Sequence, residues 1–90
     1  MVISEIKLED VKKSLRIDYS FDDDRIEIVI MPAALHRVMR LTGLTEEALD
    51  NYPELVHAYM CICNDMYDDT DEREKAYTAI CHSVQAHMLM

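Results

Sequence analysis

The sequence is poor in the residues that make tight turns and poor in positive charge. It has one glycine and two prolines among 90 residues, which disfavours a sandwich or barrel of many strands because such folds need frequent turns. Lysine and arginine number 9 against 18 aspartates and glutamates, so the formal net charge is −9. Because an acidic surface repels phosphate, the composition argues against binding of nucleic acid through a basic patch.

A long uninterrupted hydrophobic segment is also missing. The longest apolar run extends from Ile28 to Leu35 and contains Pro32, whereas a membrane-spanning helix needs about 20 residues. Residues 1–10 contain three acidic residues and no basic stretch followed by an apolar one, so we expect no secretory signal. The three cysteines are irregularly spaced, which predicts buried free thiols in a reducing cytoplasm rather than disulfides.

Apolar residues, in contrast, are abundant for so short a chain. They make up 50% of the sequence, too many for a disordered acidic protein. The length predicts one domain, residues 1–90, and a domain of this size buries only about 60–65% of its unfolded surface. We therefore expect that part of the apolar surface is covered by a partner.

Hydrophobic periodicity predicts four helices, at about residues 7–17, 45–50, 52–68 and 71–88. The stretch after the first of them is ambiguous. Residues 15–30 alternate between apolar and polar around an Asp22–Asp24 turn, as a β-hairpin would. Alternatively, Asp22 or Asp23 is the N-cap of a long helix over about residues 23–42 that ends at Gly43 and that Pro32 kinks or divides.

The first half of this long segment would be apolar on nearly every side if it is helical. Only Glu27 is polar between residues 26 and 35, and a helix that is apolar all round is usually buried all round. A small domain cannot cover such a helix alone, so the pattern predicts contact between subunits. The predicted subunit or partner interface consists of Ile26, Ile28, Val29, Ile30 and Met31, with Arg37 and Arg40 offering cations to carboxylates of a neighbour. We expect Ile30→Asp to prevent assembly and to leave a folded monomer.

Metal binding and nucleophilic catalysis are the two chemical functions that compete with a purely structural one. His57 and Cys61 are spaced i, i+4 on a predicted helix and could chelate a metal, with Cys81 and His82 or His87 completing the set. The same cysteines lie in apolar stripes, however, as buried structural thiols do. No phosphate-binding glycine loop and no oxyanion-stabilising group are recognisable either. We therefore predict no metal, no cofactor, no catalytic residue and no enzyme activity.

Five segments follow one another along the chain: Leu8-Glu9-Asp10-Val11-Lys12-Lys13-Ser14-Leu15-Arg16-Ile17-Asp18, Asp22-Asp23-Asp24, an apolar helix ending in Thr42-Gly43, Tyr52-Pro53-Glu54-Leu55 and Asn64-Asp65-Met66-Tyr67-Asp68. In this order they resemble the head-tail connector (head-completion adaptor) family of long-tailed bacteriophages and prophages. The resemblance extends over about residues 6–70 and departs from the family pattern at Pro32 and at Asp69-Thr70.

The resemblance implies an all-α bundle of four to five helices, at about 7–17, 23–42, 45–50, 52–68 and 71–88, and so favours the helix over the hairpin. It also implies a structural subunit of a dodecameric ring beneath the portal, which joins the DNA-filled head to the tail. The implied partners are other copies of the chain, the portal protein and the next head-completion or tail protein. The resemblance implies DNA only as passing cargo, and it implies neither a membrane nor a small-molecule substrate as a partner. The implied location is the virion neck, reached from the bacterial host cytoplasm.

Acidic clusters suit a DNA channel, because a negative wall lets DNA slide without sticking. Asp22, Asp23, Asp24, Asp68 and Asp69 are therefore candidate lumen-facing residues, although an ordinary solvated helix junction would have the same sequence. The negative charge is equally compatible with another class of protein. A small acidic helical regulator, or a DNA mimic that inhibits a basic partner, would have a similar composition.

Overall fold

The computed structural model describes residues 1–88, and helices are the only regular secondary structure in this part of the chain. The main helices are α1 (Leu8–Leu15), α2 (Met31–Thr42), α3 (Leu55–Asp68) and α4 (Glu74–Met88). A π-helical segment, Arg25–Ile30, leads directly into α2, and two short 3₁₀ turns occupy Ile3–Glu5 and Ala48–Asn51. The predicted all-α bundle is confirmed, and the hairpin alternative for residues 15–30 is wrong.

α1 is shorter than predicted because its C-terminal turn closes early. Arg16 adopts the left-handed conformation with φ 61°. The N–H of the next residue, Ile17, donates to the carbonyl of Lys12 at 2.9 Å. This back-bonding ends a helix and satisfies carbonyls that would otherwise be unpaired. The helix therefore stops at Leu15 instead of continuing to residue 17.

The long second helix neither breaks nor divides at Pro32. Ile30 and Met31 both have right-handed helical dihedral angles, so the backbone is continuous from the π-helical segment into α2. The hydrogen-bond pattern changes instead, since the N–H of Met31 donates to the carbonyl of Ile26, five residues back. Pro32 directly follows this change of hydrogen-bond pattern, in the first turn of the α-helical part. Gly43 ends the helix with φ 76°, as predicted.

The π-helical segment keeps one face of the second helix in the core. The buried residues recur at strict intervals of four, a spacing that gradually rotates around an ideal α-helix of 3.6 residues per turn. A π-turn holds more residues, so it rotates less per residue and offsets this drift. The buried residues of the second helix are Ile26, Ile30, Ala34, Val38 and Thr42.

α3 is the central helix of the bundle. It packs against α1, α2 and α4, and seven of its 14 residues are buried. It begins at Leu55, three residues later than predicted, because Tyr52 precedes Pro53 and has an extended φ of −129°. A residue before proline is pushed out of the helical region in this way. The predicted helix at 45–50 is likewise reduced to the 3₁₀ turn Ala48–Asn51.

A buried carboxylate organises the connection between α3 and α4. Asp65 is 4% exposed and accepts hydrogen bonds from the Arg73 backbone N–H at 3.0 Å and the Thr70 hydroxyl at 3.2 Å. The Arg73 guanidinium lies 2.9 Å from the same carboxylate, and this hydrogen bond raises the pKa of Arg73. Asp65 thus fixes the turn that positions α4, which begins at Glu74 rather than at residue 71.

Candidate subunit interface

One side of the second helix is open to solvent along its whole length. It is apolar at the start and basic at the end, and Ile28 and Val29 are 68% and 59% exposed. We call this surface the α2 face; it comprises Ile28, Val29, Pro32, Ala33, His36, Arg37 and Arg40. Exposed β-branched side chains next to each other on a helix are typical of a surface that packs against a partner.

The predicted interface residues separate into two groups in the structure. Ile26 is fully buried and Ile30 is 3% exposed, so both belong to the core of the chain itself. Met31 is half-buried and packs against that core. Ile28, Val29 and the two arginines are exposed. The chain itself therefore covers only one side of this segment, and burial of the other side by a neighbouring subunit stays a prediction. An aspartate at position 30 would enter the core.

Arg37 and Arg40 border a hollow of about 250 Å³ together with Leu41. Within residues 1–88 neither arginine forms a salt bridge. The Arg37 guanidinium donates only a long hydrogen bond, 3.4 Å, to the hydroxyl of Tyr77. In a chain with a net charge of −9, two arginines without a carboxylate partner form a basic site that is available to an anion.

The acidic turn before the π-helical segment is tied to the rest of the bundle. The Asp23 carboxylate lies 2.8 Å from the Lys12 ammonium on α1, and Asp22 accepts a 2.6 Å hydrogen bond from the Tyr67 hydroxyl on α3. The latter bond raises the pKa of Tyr67. Arg25 stacks over the Tyr67 ring at 5.3 Å, a cation–π contact. These contacts fix the turn from both sides.

Phe21 is at the outer end of this turn and is 90% exposed. The turn is closed by a hydrogen bond from the Asp23 N–H to the Ser20 carbonyl at 3.2 Å. Sequence reasoning missed Phe21 as a candidate contact because it treated the residue as one member of an alternating pattern. The available signal was that the only phenylalanine of the chain directly precedes three aspartates.

The five candidate lumen residues do not form one surface feature. Asp22 and Asp23 are half-buried in the internal contacts just described, whereas Asp24, Asp68 and Asp69 are exposed. Asp69 ends α3 in the left-handed conformation with φ 55°. The orientation of any of them toward DNA stays a prediction.

The candidate metal ligands form a pair and no larger group. The Cys61 sulfur lies 3.7 Å from the His57 Nε2 atom, so the i, i+4 spacing brings the two side chains together. Across residues 1–88 no cluster of three or more histidine, cysteine or acidic side chains is arranged to hold a metal. Burial raises the pKa of all three thiols, to about 12 for Cys63 and about 11 for Cys81. These thiols therefore remain protonated and weakly nucleophilic near neutral pH.

We expect the buried thiols to make folding sensitive to alkaline pH. The ordinary thiol pKa is 9.0, and the folded values of Cys63 and Cys81 are higher. Above about pH 9 the unfolded chain loses protons that the folded chain keeps, so the free energy of unfolding should fall as the pH rises toward 12. Urea denaturation at about pH 8 and about pH 10.5 measures this.

The matched variant for that experiment is Cys63→Ala. It should be less stable at pH 8 because of the cavity, but it should lose less stability between the two pH values than the native chain does. An identical urea midpoint for the native chain at both pH values would contradict the assignment of protonated, buried thiols.

No helix in residues 1–88 is long and apolar enough to cross a membrane.

The fold and its exposed surfaces define a small all-α protein with an apolar and basic helix face. The phage gp6-like head-tail connector protein family matches residues 5–58, more than half of the 90 residues. The chain belongs to this family. The search of curated proteins and the search of solved structures found no match.

The family match covers α1, the π-helical segment and α2, and it ends within α3. The resemblance drawn from the sequence is thereby confirmed. A connector family is a structural one, which is consistent with the expectation that the protein is not an enzyme. Membership also implies interaction with other phage head and tail proteins and a location at the neck of the virion.

Proposed function

We propose that this protein is a subunit of a ring that lies beneath the portal and joins the DNA-filled head to the tail. In this proposal each subunit packs through its α2 face against the next copy. The portal protein contacts one side of the ring, and the next head-completion or tail protein contacts the other. Before assembly the subunit is present in the cytoplasm of the bacterial host. DNA passes through the ring without being bound by it.

The observation that carries this proposal is the exposed pair Ile28 and Val29, which lies inside the segment that matches the connector family. Burial of apolar surface contributes roughly 25 cal/mol per Å², so two exposed β-branched side chains favour association with a partner. The arginines at the other end of the same face add a charged region, which determines orientation more than affinity. Both ends of the face are thus suited to contact with protein.

The lumen hypothesis now depends on the exposed acids. We propose that Asp68 and Asp69, at the end of α3, face the channel, because their carboxylates are exposed and carry no salt bridge within residues 1–88. Asp24 is exposed as well, but its neighbours Asp22 and Asp23 are engaged within the chain. Negative charge on the wall of a channel repels the DNA backbone and prevents binding.

Electron microscopy of the purified protein, alone and mixed with portal protein, tests the proposed function. We expect rings of subunits, formed alone or on the portal, with a central channel. A protein that remains a monomer or dimer under both conditions, and that instead competes with DNA for a basic enzyme, would contradict the connector proposal. That result would support the acidic regulator or DNA mimic.

A further inference from the structure

We propose that the acidic turn of one copy, Ser20–Asp24, docks into the hollow lined by Arg37, Arg40 and Leu41 on the next copy. Phe21 enters the hollow and the Asp24 carboxylate faces the two guanidinium groups. The inference rests on the proposed function, since it assumes that copies of the chain pack against one another. It identifies the surface of the neighbouring copy that the arginine end of the α2 face contacts, which the α2 face alone does not show.

The turn is suited to insertion because it is held in place before docking. The Asp22–Tyr67 hydrogen bond and the Asp23–Lys12 salt bridge fix it to α3 and α1, so little conformational entropy is lost when Phe21 is buried. An aromatic side chain that is 90% exposed at the end of such a turn has no role in the core of its own chain. Aromatic anchors of this kind commonly dominate the energy of an interface.

The hollow is suited to receive an aromatic ring with a carboxylate beside it. Its volume is about 250 Å³, and a cavity of about 150 Å³ already accommodates benzene. Leu41 supplies an apolar contact, while the aliphatic stems of the two arginines extend the apolar lining. The guanidinium groups can stack on the ring and donate hydrogen bonds to a neighbouring carboxylate.

Charge complementarity selects a second copy as the occupant. Copies with a net charge of −9 repel one another unless an acidic patch meets a basic one. Asp24 is exposed and forms no salt bridge within residues 1–88, and the same holds for Arg37 and Arg40. The turn and the hollow thus supply unpaired charges of opposite sign on the same chain.

The two patches also lie far enough apart to link different copies. From Asp24 to Arg40 the helix rises about 24 Å, at 1.5 Å per residue, in a molecule whose longest dimension is 45 Å. Contact between two different patches of one chain builds a ring when the rotation between copies closes. A chain that pairs its patches reciprocally would form a closed dimer instead.

Exchange of the charges at positions 24 and 40 tests the proposed contact. Sedimentation velocity and electron microscopy follow the assembly of each variant, alone and with portal protein. We expect Asp24→Arg and Arg40→Asp to weaken association about tenfold or more each. The double variant Asp24→Arg/Arg40→Asp should regain most of it, because the pair is restored with reversed signs. Phe21→Ala should also weaken association about tenfold or more.

Disulfide formation locates the contact independently of affinity. A mixture of Phe21→Cys and Arg40→Cys chains should form a covalent dimer, because the contact brings the two positions together. The three native thiols are buried and should not compete. A mixture of Phe21→Cys with Ser83→Cys, which places an exposed thiol on α4, should not. Circular dichroism of every variant verifies that the helices are intact.

The outcomes separate this inference from the proposed function. If rings form, but no disulfide links positions 21 and 40 and the double variant does not regain association, the inference is overturned and the proposed ring is kept. A cross-linked closed dimer with no rings under either condition would support the contact and overturn the ring. Absence of both rings and cross-link would overturn both.

Discussion

Ile30→Asp should strongly destabilise the protein, although the neighbouring Ile28→Asp should barely change its stability. Ile30 is 3% exposed and belongs to the core. The variant loses the burial of a large side chain and forces a carboxylate into an apolar site without a partner, at a combined cost above about 4 kcal/mol. A small domain has about 5–15 kcal/mol of stability, so the variant would lose at least about a quarter of it. Urea denaturation followed by circular dichroism measures this loss.

Ile28→Asp is the matched control because it makes the same chemical change two residues away. Its side chain is 68% exposed, so the free energy of unfolding should change by no more than about 0.5 kcal/mol. Equal urea midpoints for the two variants would contradict the burial pattern of the π-helical segment. The sequence-based expectation that Ile30→Asp leaves a folded monomer is replaced by this prediction.

The difference between Ile28 and Ile30 is the part of the fold that the sequence could not supply. Residues 28–30 are all β-branched and apolar, so composition gives no reason to bury one and expose another. Periodicity depends on the number of residues per turn, and the π-helical hydrogen bonds change that number locally. The prediction from composition therefore grouped all five apolar residues 26 and 28–31 together, whereas the structure places Ile26 and Ile30 in the core and leaves Ile28 and Val29 exposed.

Other elements were predictable because one local signal determined each of them. Gly43 ends α2 in the left-handed conformation, which glycine adopts without steric cost. The buried Tyr77, Cys81 and Val84 on α4 lie on the apolar stripe that predicted this helix. Where the end of a helix depended on the backbone geometry of other residues, as at Arg16 and Tyr52, the predicted bounds were off by two or three residues.

The roles of acidic residues were the least predictable feature of the candidate site. Asp22 and Asp24 look alike in the sequence, yet one accepts a hydrogen bond from Tyr67 and the other is exposed. Asp65 lies only three residues before the exposed Asp68, yet it is buried and holds the α3–α4 turn. An acid that is engaged in this way accepts a hydrogen bond from a residue elsewhere in the chain, and a charge pattern alone does not identify that donor.

Ile28→Asp should abolish assembly while it leaves the subunit folded. The substitution places a charge in the middle of the apolar end of the α2 face, and a buried carboxylate without a partner costs several kcal/mol at an interface. Ala79→Asp adds the same charge at an exposed position on α4 and should assemble as the native chain does. The two variants have the same net charge, so general repulsion between copies is equal.

The most direct test of the account is the mass of the assembly formed by the native chain, Ile28→Asp and Ala79→Asp, each alone and with portal protein. Mass photometry or sedimentation velocity gives this value. The α2 face as subunit interface predicts multimers for the native chain and Ala79→Asp, and single subunits for Ile28→Asp. Multimers of native mass from Ile28→Asp, or single subunits from the native chain under both conditions, would contradict it.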